Sequence, residues 1–198
     1  MRKSLDLLYQ GSGALAALFL VAICGVVLLQ VGANLIDKVV GWAGGEPPGL
    51  LVPSYAEFTG FFLAASSFLA LAYTLRAGGH IRVSLFIQNL SGRRRRGMEL
   101  WCLLMAGLLC GYFTVFLIRL VLESLEFGDL SPGMVPVPLW IPQTAMALGL
   151  IVLTIALIDE FVRVLRGGRP SYEGKGEALL VAHETPGERA AGAAEAQG

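Results

Sequence analysis

Apolar residues in this chain come in long unbroken blocks, with no alternation at strand spacing and no polar stripe at helical spacing. Four windows, residues 7–36, 58–75, 100–118 and 130–158, contain no Asp, Glu, Lys or Arg. A helix at the surface of a water-soluble domain needs a wet face, and none of these windows supplies one. At a rise of about 1.5 Å per residue, about 20 apolar residues cross a hydrocarbon core roughly 30 Å thick. Each window is long enough, which predicts four membrane spans near 13–36, 56–75, 99–120 and 139–158. The fourth is trimmed because Pro132, Pro136 and Pro138 make its first part a loop. Pro142 falls within the first helical turn, where a missing N–H costs little. Arg2 and Lys3 ahead of the first block raise the competing reading of a signal sequence. The apolar run is longer than a typical h-region of about 7–15 residues. No small-x-small site follows it, and bulky Ile23 precedes Cys24 where lipoprotein cleavage requires a small residue. The block is read as a retained span, and the expected fold class is an all-α integral membrane protein of four transmembrane helices.

Charge changes this picture by adding an orientation. The 198 residues hold 15 Lys and Arg against 15 Asp and Glu, and the mean hydropathy is +0.67. Charged residues make up 15% of the chain where a soluble domain carries about 25%. All the basic residues except Lys38 and Arg119 fall in the N-terminal segment, the 2–3 connection (Arg76, Arg82 and Arg93 to Arg96) or the C-terminal segment. The other two connections hold Asp37, Glu46, Glu57, Glu123, Glu126 and Asp129. By the positive-inside rule both termini are expected in the cytoplasm.

The connections differ in character. The 1–2 connection is rich in Gly and Pro, is too short for a domain, and carries Trp42 and Tyr55 where interfacial aromatics sit. Between Gly79 and Ser91, Ile81, Val83, Leu85, Phe86, Ile87 and Leu90 interleave with His80, Arg82, Gln88 and Asn89. A short amphipathic helix in the cytoplasmic interface fits that mixture, with Arg93, Arg94, Arg95 and Arg96 meeting anionic lipid head groups. A basic loop whose only role is topogenic fits it equally. The membrane domain is expected over 1–166, and the Gly-, Ala-, Glu- and Pro-rich segment 167–198 reads as a disordered cytoplasmic tail.

Candidate chemistry is sparse. His80 and His183 both lie outside the spans, so a bis-His haem between these helices is excluded for this chain alone. Cys24, Cys102 and Cys110 lie inside spans without a CxxC pair and read as small buried apolar residues. No nucleophile set, metal cluster or phosphate loop can be assembled, so no cofactor, no metal and no enzymatic activity are expected, and no nucleic-acid partner. A carrier that worked alone would place ionisable groups or unwound helix near the bilayer midplane. Here the charges stay at the span ends: Glu57 opens span 2, Arg76 closes it, Glu99 opens span 3 and Arg119 closes it. Glu57 either pairs with a partner helix or with Lys38, or simply favours a helix N-terminus at the interface. Gly60xxxAla64, Ser66xxxAla70 and Gly107xxxGly111 permit close helix approach without naming a partner.

Several of these pieces fall into a known order. Glu57 leads span 2, the run Arg76-Ala77-Gly78-Gly79-His80-Ile81-Arg82-Val83 leaves it, a basic stretch precedes span 3, and Pro138-Leu139-Trp140-Ile141-Pro142 opens span 4. This arrangement, over about residues 5–166, resembles the DctQ-type small permease subunit of TRAP transporters, the tripartite ATP-independent periplasmic systems. The most specific piece is Gly79 to Val83, where the family commonly has His-Ile-x-Val-Asp. Ser84 stands where that aspartate often is, and no arginine follows Gln30 as it does in many members. The resemblance implies an inner-membrane subunit that scaffolds a large DctM-type permease and helps dock a periplasmic DctP-type solute-binding protein. It implies uptake driven by an ion gradient, usually sodium symport, of organic acids such as dicarboxylates. Under it, Glu57, Arg76, Gly79, His80, Arg82, Trp140 and Pro142 are candidates for structural or partner contact. Glu46, Glu123, Glu126 and Asp129 are candidates to face the receptor. The small subunit of a tripartite tricarboxylate system and the membrane anchor of a redox complex remain as alternatives.

Overall fold

Charge marks where a helix leaves hydrocarbon, but it does not stop the helix. In the structure, a computed structural model that describes residues 2–77 and 92–168, four helices are present: α1 (Arg2–Trp42), α2 (Tyr55–Ala77), α3 (Gly92–Phe127) and α4 (Trp140–Leu165). All four are long and apolar enough to cross a membrane, and no strand occurs among the described residues. The expected four-helix membrane fold is thus observed. The interfacial helix expected between spans 2 and 3, with Gly79, His80 and Arg82, lies outside the described residues, as does the tail from residue 169 onward.

α1 and α3 overrun the expected spans at both ends. Their 41 and 36 residues reach roughly 60 and 54 Å, well beyond a bilayer core. Arg2, Lys3 and the Arg93 to Arg96 run are good helix formers, so the helix continues through them into the aqueous layer. What ends these helices at the loop side is glycine. Gly44 has φ +76° and Gly128 has φ +66°, a left-handed conformation that any side chain would strain. Past them the chain folds back onto the last turn: Gly45 N–H donates to the Val40 carbonyl at 3.0 Å and Asp129 N–H to the Ser124 carbonyl at 3.2 Å.

The helices stand in a row rather than closing into a square bundle. α1 packs along α2, α2 on α4, and α4 on α3, while α1 and α3 lie at opposite ends. α2 and α4 therefore carry most of the buried positions, and α1 and α3 leave nearly all their apolar surface open. α2 and α4 meet most closely at Gly149, where an added Cβ would fall 2.5 Å from the Phe68 carbonyl carbon. Around that crossing Ala72, Leu153, Ala156 and Leu157 form the core, joined by Leu103 of α3 and Tyr9 of α1. Each remaining seam has a polar tie. The Ser12 hydroxyl donates to the Leu69 carbonyl between α1 and α2, and the Thr114 and Thr154 hydroxyls lie 3.1 Å apart between α3 and α4. Inside hydrocarbon a hydroxyl without a partner is costly, so these bonds fix register as well as contact. The row places connections 43–54 and 128–139 at one end and the start of α1 and the end of α4 at the other.

Candidate functional site

The loop end is assembled by side chains that reach from helices to loop backbone. The Gln30 amide accepts from Val52 N–H at 2.9 Å and donates to Asn34 Oδ1 at 3.0 Å, tying the 1–2 connection to α1. Asp37 Oδ1 accepts from Gly49 N–H at 3.1 Å and Leu50 N–H at 3.3 Å. Amide and carboxylate groups about two turns apart near the end of a helix, as Gln30 and Asp37 are, are suited to this, because loop N–H groups have no helical partner of their own. The 3–4 connection is braced internally by an isolated bridge between Leu130 and Pro138, with Ser131 N–H donating to the Val137 carbonyl at 2.9 Å.

The two connections then join through Ser54 and Glu57. Ser54 Oγ accepts from Val135 N–H at 2.9 Å, and Ser54 itself sits at φ +55°, an unusual conformation for a residue with a Cβ. Its carbonyl accepts from Glu57 N–H and Phe58 N–H, both at 3.0 Å, which starts α2. The Glu57 carboxylate lies directly against Gly133; a Cβ there would fall 1.7 Å from Oε2. That Oε2 is buried and has no hydrogen-bond partner among the described residues, and Lys38 does not reach it. A shallow cleft of about 380 Å³ opens beside it, lined by Leu51, Ser54, Tyr55, Pro132 and Met134.

Sequence reasoning and structure meet unevenly here. Trp140 and Pro142 open α4, with Trp140 at its first position and Pro142 two residues on, where the helical N–H groups have no partners. Trp42, 92% exposed, and Tyr55 and Trp140, both partly exposed, all lie at the loop end. Glu46, Glu126 and Asp129 are exposed there, and Asp129 Oδ2 accepts from the Ser124 hydroxyl at 3.2 Å. Glu123 lies apart from them, on the wall of an apolar groove between α2 and α3. Gly60, Gly107 and Gly111 have open space around them, so the α3 glycine pair is not used among the described residues.

At the opposite end Arg76 pairs with Asp6, and its guanidinium stands 5.0 Å from the centre of the Tyr9 ring. Tyr9 is 2% exposed and its hydroxyl has no hydrogen-bond partner among the described residues. Glu160 is 1% exposed on the same packed face, 3.5 Å from Arg163 on the next turn. Arg96 Nε donates to the Val164 carbonyl at 3.1 Å and Nη2 to the Leu165 carbonyl at 2.8 Å, so it closes the C-terminal end of α4 while Arg94 stays exposed.

Asp6, Tyr9, Ser54, Gly133 and Glu160 were not singled out from the sequence, and Gln30 was noted only for the arginine that does not follow it. A signal existed for Glu160: it shares a helical face with Gly149, Leu153, Ala156 and Val164, at spacings of three and four. The others act through contacts distant along the chain. Among the described residues no group of three or more His, Cys, Asp or Glu converges as a metal site. What this arrangement does physically is hold two loops in one fixed surface at one end and pin the four helices, α1 to α2 and α3 to α4, at the other.

Residues 51–167, more than half of the chain, match the family model described as the DctQ component of the tripartite ATP-independent periplasmic transporters. The matched stretch runs from the end of the 1–2 connection through α2, α3 and α4. No curated protein and no solved structure matches the chain.

Proposed function

The chain belongs to the DctQ component family of the TRAP transporters, and from that premise we propose that it is the scaffold half of a permease whose transport sites lie on its partner. As a family member it is a small, multi-pass inner-membrane subunit of a transport system, which sets aside the tricarboxylate-system and redox-anchor alternatives. In the proposed assembly it braces a large DctM-type permease and helps present a docking surface to a periplasmic DctP-type receptor. The system takes up organic acids, dicarboxylates among them, by symport down an ion gradient. Both termini face the cytoplasm and the joined loops face the periplasm, as the basic residues at the terminal end favour.

What supports a scaffold most directly is the open row. A closed bundle would bury its small-residue faces internally. Here α1 and α3 leave theirs free, including Gly107 and Gly111, which suits packing on a further membrane protein. Charged side chains of the helices keep to their ends: Glu160 is about 30 Å along α4 from Trp140, at the edge of a bilayer core. The exposed acids Glu46, Glu126 and Asp129 on the braced loop surface suit a receptor contact, with Glu57 holding that surface together. Arg76 is assigned a structural role at the cytoplasmic end. Gly79, His80 and Arg82 are assigned a structural or topogenic role there, and Arg93, Arg94 and Arg95, with Arg96 beside its capping role, a contact with lipid head groups.

The test is a pull-down from native membranes in mild detergent. A many-span permease should co-purify in stoichiometric amount. Recovery of the chain alone, under conditions where both subunits are detected in the input, would overturn the scaffold reading.

A further inference from the structure

Because α2 and α3 do not touch along their length, a groove of about 720 Å³ runs between them with α4 as its floor. Its walls are Phe68 of α2 and Phe113, Leu117 and Leu120 of α3, and its floor is Leu150. At the loop-side end the lining changes abruptly to two charges, Arg119 and Glu123. Both are exposed and neither forms an ion pair or hydrogen bond with the described residues. The Arg119 guanidinium is held 5.8 Å from the centre of the Phe116 ring, beside the mouth of the groove.

We propose that this groove binds one phospholipid of the loop-side leaflet, with a phosphoethanolamine head on Arg119 and Glu123 and an acyl chain along Phe113 to Leu120. The match is one of order and of sign. A guanidinium at the margin of hydrocarbon is costly without an anion, and a phosphodiester supplies two acceptor oxygens to its donor fork. Glu123 lies one turn nearer the aqueous phase, about 6 Å along the axis. In such a head group the ammonium lies outward of the phosphate, so a carboxylate one turn further out is placed to accept from it. A phosphoglycerol head would offer Glu123 only neutral hydroxyls and no cation, a weaker partner than an ammonium. A trimethylammonium head would offer it no N–H donor. Below Arg119 every lining side chain is apolar, Phe113, Phe116 and Leu117 covering about 6 Å of α3 opposite Phe68 and Leu150, as the first part of an acyl chain requires. The proposal rests on the chain crossing a membrane and not on its having a large-subunit partner.

The experiment uses the full-length chain purified in mild detergent with whatever partner it retains. It is titrated with dioleoyl phosphatidylethanolamine, phosphatidylglycerol and phosphatidylcholine, and bound lipid is read by native mass spectrometry. The wild type should prefer phosphatidylethanolamine. Arg119→Gln should weaken all three by about tenfold, the loss of a charge-assisted hydrogen bond. Glu123→Gln should weaken phosphatidylethanolamine alone, a selective loss that misfolding would not produce. Arg166→Gln, exposed at the other end, should change nothing. Equal binding of the three lipids by wild type, binding unaltered in Arg119→Gln, or a Leu120→Cys variant that cross-links to a partner chain from within the groove would each overturn the proposal.

Discussion

Replacing Gly149 by alanine tests the central claim about how the row is held together. An alanine Cβ at 149 would stand 2.5 Å from the Phe68 carbonyl carbon, 2.6 Å from its oxygen and 2.8 Å from Leu69 N. Carbon atoms rest about 3.5–4.0 Å apart, so α4 must retreat from α2 by about 1 Å. The obstructing atoms are backbone, and no rotamer change relieves them. A gap of that size forfeits about a quarter to a half of each affected dispersion contact among Ala72, Leu153 and Ala156. Overpacking of this kind costs about 1–3 kcal/mol. The usual gain in helix propensity does not offset it, because membrane helices stay helical when they separate. At about 2–4 °C per kcal/mol for a chain of this size, the melting temperature in detergent should fall by several degrees. Gly107→Ala and Gly111→Ala, with nothing within 4 Å, serve as matched controls and should melt at or slightly above the wild type. A Gly149→Ala protein that melts with those controls would refute the close crossing.

Gly133→Ala drives a Cβ into the Glu57 carboxylate and to 2.7 Å from Ser54 Oγ and should destabilise the loop end by about 1 kcal/mol; in a Glu57→Ala background the same change should cost less, only the Ser54 contact remaining, a coupling measurable by a double-mutant cycle. Ser54→Ala keeps the left-handed φ but loses the bond from Val135 N–H and should cost about 1 kcal/mol, whereas Ser54→Gly relieves the strain as it loses the bond and should fall closer to wild type in the same melt. Arg96→Ala frees the Val164 and Leu165 carbonyls and should speed hydrogen exchange in the last turn of α4, with the middle of that helix unchanged. Arg76→Gln and Asp6→Asn each break the α1–α2 ion pair, and Arg76→Gln also removes the guanidinium from the Tyr9 ring, so the double variant should lose no more than Arg76→Gln alone, with the ion pair contributing about 1 kcal/mol or less given its partial exposure.

Much was legible in the sequence because hydrocarbon imposes one simple demand. With no water to satisfy the backbone, a long charge-free apolar block has to be helical, and four such blocks determined four spans, their order and their approximate depth. Trp140 and Pro142 at the start of α4 followed from the same logic; the expected burial of the cysteines did not, since Cys24 is exposed and Cys102 and Cys110 are half-buried, lipid being as good a surrounding for a small apolar side chain as the inside of the bundle. The helix ends were less legible: Arg2 and the Arg93 to Arg96 run read as boundaries of a span, but only the left-handed glycines at 44 and 128 stop the chain from coiling. Those glycines are present in the sequence; that they adopt positive φ is not.

Packing was decided only in three dimensions. Each apolar block is apolar all round, so it carries no record of which face meets which neighbour, and a row of helices is written no differently from a closed bundle. That is why Gly107 and Gly111 resembled a packing motif yet stand open, while Gly149, unremarked in a run of Leu and Ala, makes the tightest crossing. It is also why Glu57 met Gly133 rather than Lys38, and why Asp6 and Arg76, 70 residues apart, became an ion pair. Sequence determined how often this chain crosses the membrane, since that depends on local hydropathy summed along one helix. Tertiary structure alone decided which polar atoms find each other, since those pairings depend on steric fit between helices that hydropathy treats as identical.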